Sequence, residues 1–87
     1  MYFEPKKKKY ERKTLKGRII ASKIAGFNSD RVVFYIKRNG AKQRFMALLK
    51  NNEEAKGYYL NYPKGTFVEI TYLDTFFPII LKIGRVY

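Results

Sequence analysis

Arg31-Val-Val-Phe-Tyr-Ile-Lys-Arg-Asn-Gly-Ala-Lys-Gln-Arg-Phe-Met-Ala-Leu-Leu49 is the stretch from which the rest of the chain is read. Two runs of alternating character meet at Asn39-Gly40, and Asn-Gly between such runs is the strongest short-range signal for a β-hairpin. The reason is steric: a type I′ turn needs positive φ at both central residues, and these two residue types tolerate it. A two-residue loop also specifies the register. It sets Arg38 opposite Ala41, Lys37 opposite Lys42, Ile36 opposite Gln43, Tyr35 opposite Arg44, Phe34 opposite Phe45, Val33 opposite Met46 and Val32 opposite Ala47.

Because side chains alternate with period two, the hairpin sorts into two faces. Val32, Phe34, Ile36, Phe45, Ala47 and Leu49 form an apolar face suited to a core. Arg31, Val33, Tyr35, Lys37, Lys42, Arg44 and Met46 form the other. The plain reading of that second face is a solvated sheet surface, but solvated surfaces normally mix both signs of charge. Between Arg31 and Lys50 the cations are Arg31, Lys37, Arg38, Lys42, Arg44 and Lys50, with no Asp or Glu among them. Lys37 opposite Lys42 is a like-charge cross-strand pair, unfavourable unless an anion lies over it. The face points to an anionic ligand.

The whole chain has the same bias. Its 87 residues are enough for one small domain, and 19 Lys and Arg against 7 Asp and Glu give a formal charge of +12, a field that draws in polyanions. A hydrophobic fraction of 46% argues for a folded chain. Cys and His are both absent, which removes disulfides, thiolate metal sites and the commonest proton shuttle. No apolar run approaches the ~20 residues of a membrane-spanning helix, and the start does not have the design of a signal peptide. The expectation is an intracellular protein of the cytoplasm or nucleoid, or of the nucleus in a eukaryote, with no membrane partner and no cofactor.

Residues 1–13 carry Lys6, Lys7, Lys8 and Lys9 in succession after Pro5, so mutual repulsion predicts a flexible basic arm. Such an arm either lies along phosphates or merely aids solubility, and Pro5 with the four lysines also has the form of a short nuclear-import signal. A barrel domain is expected over residues 14–87. Thr14–Ile24 reads as a long strand, with a bulge or bend expected at Gly17 and the inward side open between Ile19 and Ile20. Ala25–Asp30 is a loop by composition. Its lone Phe27 either tucks onto the core or reaches a ligand.

After the hairpin, Asn51 or Asn52 can cap a helix, Glu53 and Glu54 suit its positive end, and Pro63 stops it. Ala55, Tyr58, Tyr59 and Tyr62 recur at helical spacing and read as one core-facing stripe closing an end of the barrel. Thr66–Leu73 is a strand with Val68, Ile70 and Tyr72 on one side. Asp74–Pro78 is a loop that exposes at least one of Phe76 and Phe77, and Ile79–Val86 is a last, nearly continuous apolar strand.

Five strands with one short helix between the third and fourth is a mostly-β arrangement that resembles the OB-fold, a five-stranded Greek-key barrel, over about Thr14 to Val86. The segment Lys64–Leu73 followed by Phe77–Ile83 is also similar to the OB domain of nucleotidyltransferases such as ATP-dependent DNA ligases. The resemblance implies oligonucleotide binding on the face of strands 2 and 3 and on the loops joining strands 1 to 2 and 4 to 5. In this chain those positions are Arg31, Tyr35, Lys37, Lys42 and Arg44, then Phe27, then Phe76 and Phe77. The expected function is non-enzymatic binding of single-stranded DNA or RNA in DNA replication, recombination or repair. An alternative is an accessory subunit docked through Phe76, Phe77 and Tyr87 on a larger polymerase, helicase or ligase-like enzyme. Another is an SH3-like barrel bound to duplex DNA or structured RNA. Catalysis is not expected, because a metal-dependent nuclease needs several converging acids and only Asp30, Glu69 and Asp74 lie in or beside the strands.

Overall fold

The computed structural model describes residues 11–86, so the four lysines at 6–9 and Tyr87 lie outside the described residues. Five strands close into a barrel in the order β1-β2-β3-β5-β4. They are β1 (Arg12–Ala25), β2 (Arg31–Arg38), β3 (Ala41–Leu48), β4 (Phe67–Leu73) and β5 (Ile79–Arg85), with α1 (Asn52–Asn61) between β3 and β4. No helix among the described residues is long and apolar enough to cross a membrane.

The hairpin has the register its turn demands, with all pairs from Arg38↔Ala41 to Val32↔Ala47 in place and Arg31↔Leu48 closing the far end. Asn39 and Gly40 sit at φ 50° and 79°, as a type I′ turn needs. The inner face carries the core: Val32, Phe34, Ile36 and Phe45 are fully buried, and they meet Leu15, Ile19, Val68, Ile70, Tyr72 and Ile80 from the other strands. Phe45 meets Tyr72 edge-on at 4.8 Å between ring centroids, an arrangement that favours aromatic pairs beyond the area they bury.

β1 closes the barrel by serving two partners. Arg12–Arg18 pair with β4, whereas Ile19–Ala25 pair with β2. The hand-over falls at Ile19, which gives its amide to the Thr66 carbonyl and takes the Gly65 amide on its own carbonyl. The strand starts at Arg12, so two residues of the expected arm belong to the sheet. The expected bulge at Gly17 is also displaced: the register breaks between Ile19 and Ala21, which makes Ile20 the extra residue. Gly17 has a different task. A Cβ there would stand 2.5 Å from Ile36 Cγ2, so the missing side chain is what lets β1 cross close over β2.

α1 follows its capping rules. The Asn51 side chain accepts from the Glu54 amide at 2.9 Å, and Glu53 and Glu54 occupy the first turn. Ala55 is buried, and Tyr58 and Tyr62 pack on the core, Tyr62 edge-on to Phe34. Tyr59, expected in the same stripe, turns outward beside the exposed Leu60. β5 is less uniformly buried than its apolar run suggests. Thr71 pairs with Lys82 and Tyr72 with Ile80, so Leu81 is a bulged residue that points outward while Ile80 is buried.

Candidate functional site

The outer face of the hairpin inherits its layout from the register. Residues directly opposite on an antiparallel pair share a face. Tyr35 with Arg44, Lys37 with Lys42 and Val33 with Met46 therefore project together, away from the core. The Lys42 ammonium lies 4.9 Å from the centroid of the Tyr35 ring. Tyr35 is the diagonal neighbour of Lys42 on the partner strand, within reach of a cation–π contact. The ring of Tyr35 is thus placed by a cation on one side. On the other, its β1 partner is Ala21, too small to cover it.

The bulge at Ile20 adds a residue to this face that alternation along β1 had hidden. Leu15, Gly17 and Ile19 are buried in alternation, and continuing that count would turn Lys23 inward. The extra residue reverses the parity. Ser22 and Ile24 then oppose the inward Phe34 and Val32, while Ala21 and Lys23 oppose Tyr35 and Val33. Lys23 joins Arg31, Lys37, Lys42 and Arg44 on a three-stranded outer surface. Among the described residues no carboxylate lies within 4 Å of Lys23, Lys37, Lys42 or Arg44, and Arg31 has Asp30 at 3.9 Å.

Two loops border one end of this surface. Leu49 gives its amide to the Asp30 carbonyl in the β1–β2 loop at 2.9 Å, and Met46 gives its amide to Pro78 in the β4–β5 loop at 3.0 Å. The loops are therefore anchored three residues apart along the same stretch of chain. The first is further held by Asn52, whose side-chain amide donates to Ser29 O at 3.0 Å. It presents Phe27 fully to solvent, not against the core. The second presents Phe76, 91% exposed, edge-on to Phe77 at 4.8 Å.

Phe77 does not simply point outward. Its ring lies 5.0 Å from the Arg44 guanidinium, and with Pro78 it walls a cleft of about 290 Å³ over Arg31, Val33, Arg44 and Met46. Val33, on the outer face by alternation, lines this cleft and is only 5% exposed. It is the apolar floor of the cleft, not a rim.

The acids near the strands are each set beside a cation. Asp74 meets Lys13 at 2.6 Å, Glu69 meets Lys16 at 3.8 Å, and Asp30 adjoins Arg31. The hydrogen bond to Asp74, and then that carboxylate's charge, raise the Lys13 pKa above its ordinary 10.5. Among the described residues no three His, Cys, Asp or Glu side chains converge as a metal site would require. Of the residues read from sequence, Arg31, Tyr35, Lys37, Lys42, Arg44 and Phe77 come together on one surface, with Phe76 and Phe27 on the bordering loops. No protein-family model matches the chain, and no curated protein matches it.

Proposed function

We propose that this protein is a non-enzymatic, OB-like module that binds single-stranded nucleic acid across the outer face of β1, β2 and β3. One observation carries the reading: Tyr35, Lys37, Lys42 and Arg44 project from the same side of the barrel, and the Phe77 ring leans over Arg44 onto that side. Cations with no carboxylate beside them among the described residues favour phosphates, because each phosphate neutralised releases condensed counterions. Rings set among them favour unpaired bases, whose flat faces a duplex would hide. Tyr35, Phe76 and Phe27 are the stacking platforms, and Lys23, Lys37 and Lys42 track the backbone. The five-stranded order with its interposed helix supports the same assignment, since OB barrels use this face and these two loops. Exposed single strands arise in replication, recombination and repair, the processes in which such a module would serve.

Fluorescence anisotropy with labelled single strands and matching duplex, at low and physiological salt, tests the proposal. Tighter binding of the single strand, weakened by salt, is the expected outcome. Equal or stronger binding of duplex would sink it. A second reading, an accessory subunit that docks on a larger nucleic-acid enzyme, draws support from the exposure of Phe76 and Leu60. It gains ground if the purified chain ignores every oligonucleotide until a partner is added.

A further inference from the structure

The cleft between β2, β3 and the β4–β5 loop is a distinct feature of the surface. At about 290 Å³ it is near the lower end of small-molecule pockets, roughly 300 Å³ and upward, a size for one flat group and not two. Four of its six lining residues, Val33, Met46, Phe77 and Pro78, are apolar. A phosphate pressed against them would lose hydration without full compensation, whereas the face of a nucleobase would not. The two remaining residues are Arg31 and Arg44.

An arginine offers five N–H donors and no acceptor. The other lining side chains offer no donor and at most the weak acceptor of the Met46 sulfur. The Pro78 carbonyl already accepts the Met46 amide. The lining side chains therefore read a bound edge with donors alone. Guanine presents two adjacent acceptors, O6 and N7, matched to the guanidinium fork. On that edge adenine would bring its amino group against those donors and thymine or uracil offers no such adjacent pair; cytosine has adjacent acceptors only on its Watson–Crick edge, O2 and N3, and a smaller ring to lay on the apolar floor. Phe77 holds the Arg44 head against the wall of the cleft, so part of the ordering cost of a bidentate contact is met before the base arrives.

We propose that this cleft is a base-selective subsite that prefers guanine, with Arg44 as the specificity-determining residue; the inference rests on the single-strand reading above. A single guanine placed in an oligo-dT strand about 12 nucleotides long, within the reach of one OB barrel, should tighten binding about 5-fold or more, the lower bound for one bidentate arginine–guanine pair. Replacing it with 7-deazaguanine, which lacks the N7 acceptor, should remove most of that gain. An adenine at the same place should give none.

The experiment is anisotropy with these four strands at one fixed salt concentration, on the full chain and on Arg44→Lys and Lys37→Ala. Arg44→Lys keeps the charge but not the fork. It should weaken the guanine strand more than oligo-dT, so that the ratio between them collapses. Lys37→Ala should weaken all four strands by a similar factor and preserve the ratio. Equal affinity for the guanine, adenine and all-thymine strands would overturn the subsite and leave the single-strand function standing. A guanine preference that survives both 7-deaza substitution and Arg44→Lys would overturn the role given to Arg44. Absence of binding to any strand would overturn the function itself, and the subsite with it.

Discussion

The Arg44 guanidinium stands 5.0 Å from the centre of the Phe77 ring, a contact that joins a β3 side chain to the loop between β4 and β5. Phe76, next in line, packs edge-on against Phe77 and otherwise faces solvent. The two phenylalanines therefore have different tasks. Phe76→Ala is expected to leave stability within about 0.5 kcal/mol while weakening single-strand binding by about 1–3 kcal/mol. Phe77→Ala should lower both, since it also uncovers Val33 and releases Arg44. Urea denaturation paired with anisotropy separates the two, and identical behaviour of both variants would contradict the division.

Tyr35 and Lys37 are neighbours on one face, and the proposed function gives them different physics. Tyr35→Ala should weaken binding by about 1–3 kcal/mol through lost stacking and leave the salt dependence unchanged. Lys37→Ala should weaken binding and flatten the slope of log K against log salt by about 0.7, one single-strand phosphate contact. Lys37→Glu should go further in binding yet raise folding stability by a few tenths of a kcal/mol, because it turns the Lys37–Lys42 pair from like to opposite charge. A loss of stability in that variant would show that the pair carries no strain.

Gly17 lies against the Ile36 side chain of β2, and an added Cβ would overlap Ile36 Cγ2 at 2.5 Å. Ile36 is fully buried and cannot yield. Gly17→Ala should therefore destabilise the barrel by about 1–3 kcal/mol. Combined with Ile36→Ala, which removes the opposing methyl, the loss should fall short of the sum of the single losses by about 0.5 kcal/mol or more. Strict additivity in denaturant unfolding would remove this explanation for the glycine.

The Lys13–Asp74 pair ties the first residues of β1 to the loop that carries Phe76 and Phe77. Since the folded-state pKa of Lys13 is raised, its contribution is complete below the unfolded value near 10.5 and is lost as pH rises through the folded value. The pair is on the surface, so the effect is small. The difference in Tm between the natural chain and Lys13→Met should stay level up to about pH 10 and close above it. A difference that persisted unchanged to higher pH would assign the stabilisation to packing of the lysine stem.

Local rules carried a large part of this structure in legible form. The Asn39-Gly40 turn admits one register, and that register alone brings Tyr35, Lys37, Lys42 and Arg44 to one side. Period-two alternation likewise grouped Val68, Ile70 and Tyr72 on one side, which the barrel buries, and Asn51 or Asn52 marked the start of the helix, with Asn51 the cap. These features depend on neighbours in sequence, within a turn, a strand or a cap.

What the chain's own letters did not determine is how β1 divides itself between β4 and β2. Closing five strands into a ring forces that strand to bend and change partners, and the extra residue falls at Ile20, where the hand-over occurs, not at the glycine that local preference favours. That displaced residue reverses the side on which every later β1 side chain emerges, and it alone delivers Lys23 to the outer surface. The cleft that Val33 lines arises the same way, because Phe77 and Pro78 reach it from a loop more than thirty residues downstream in the chain. Alternation says which side of a strand a residue takes. Whether that side meets water is decided by segments distant in sequence, because only the closed barrel brings them together.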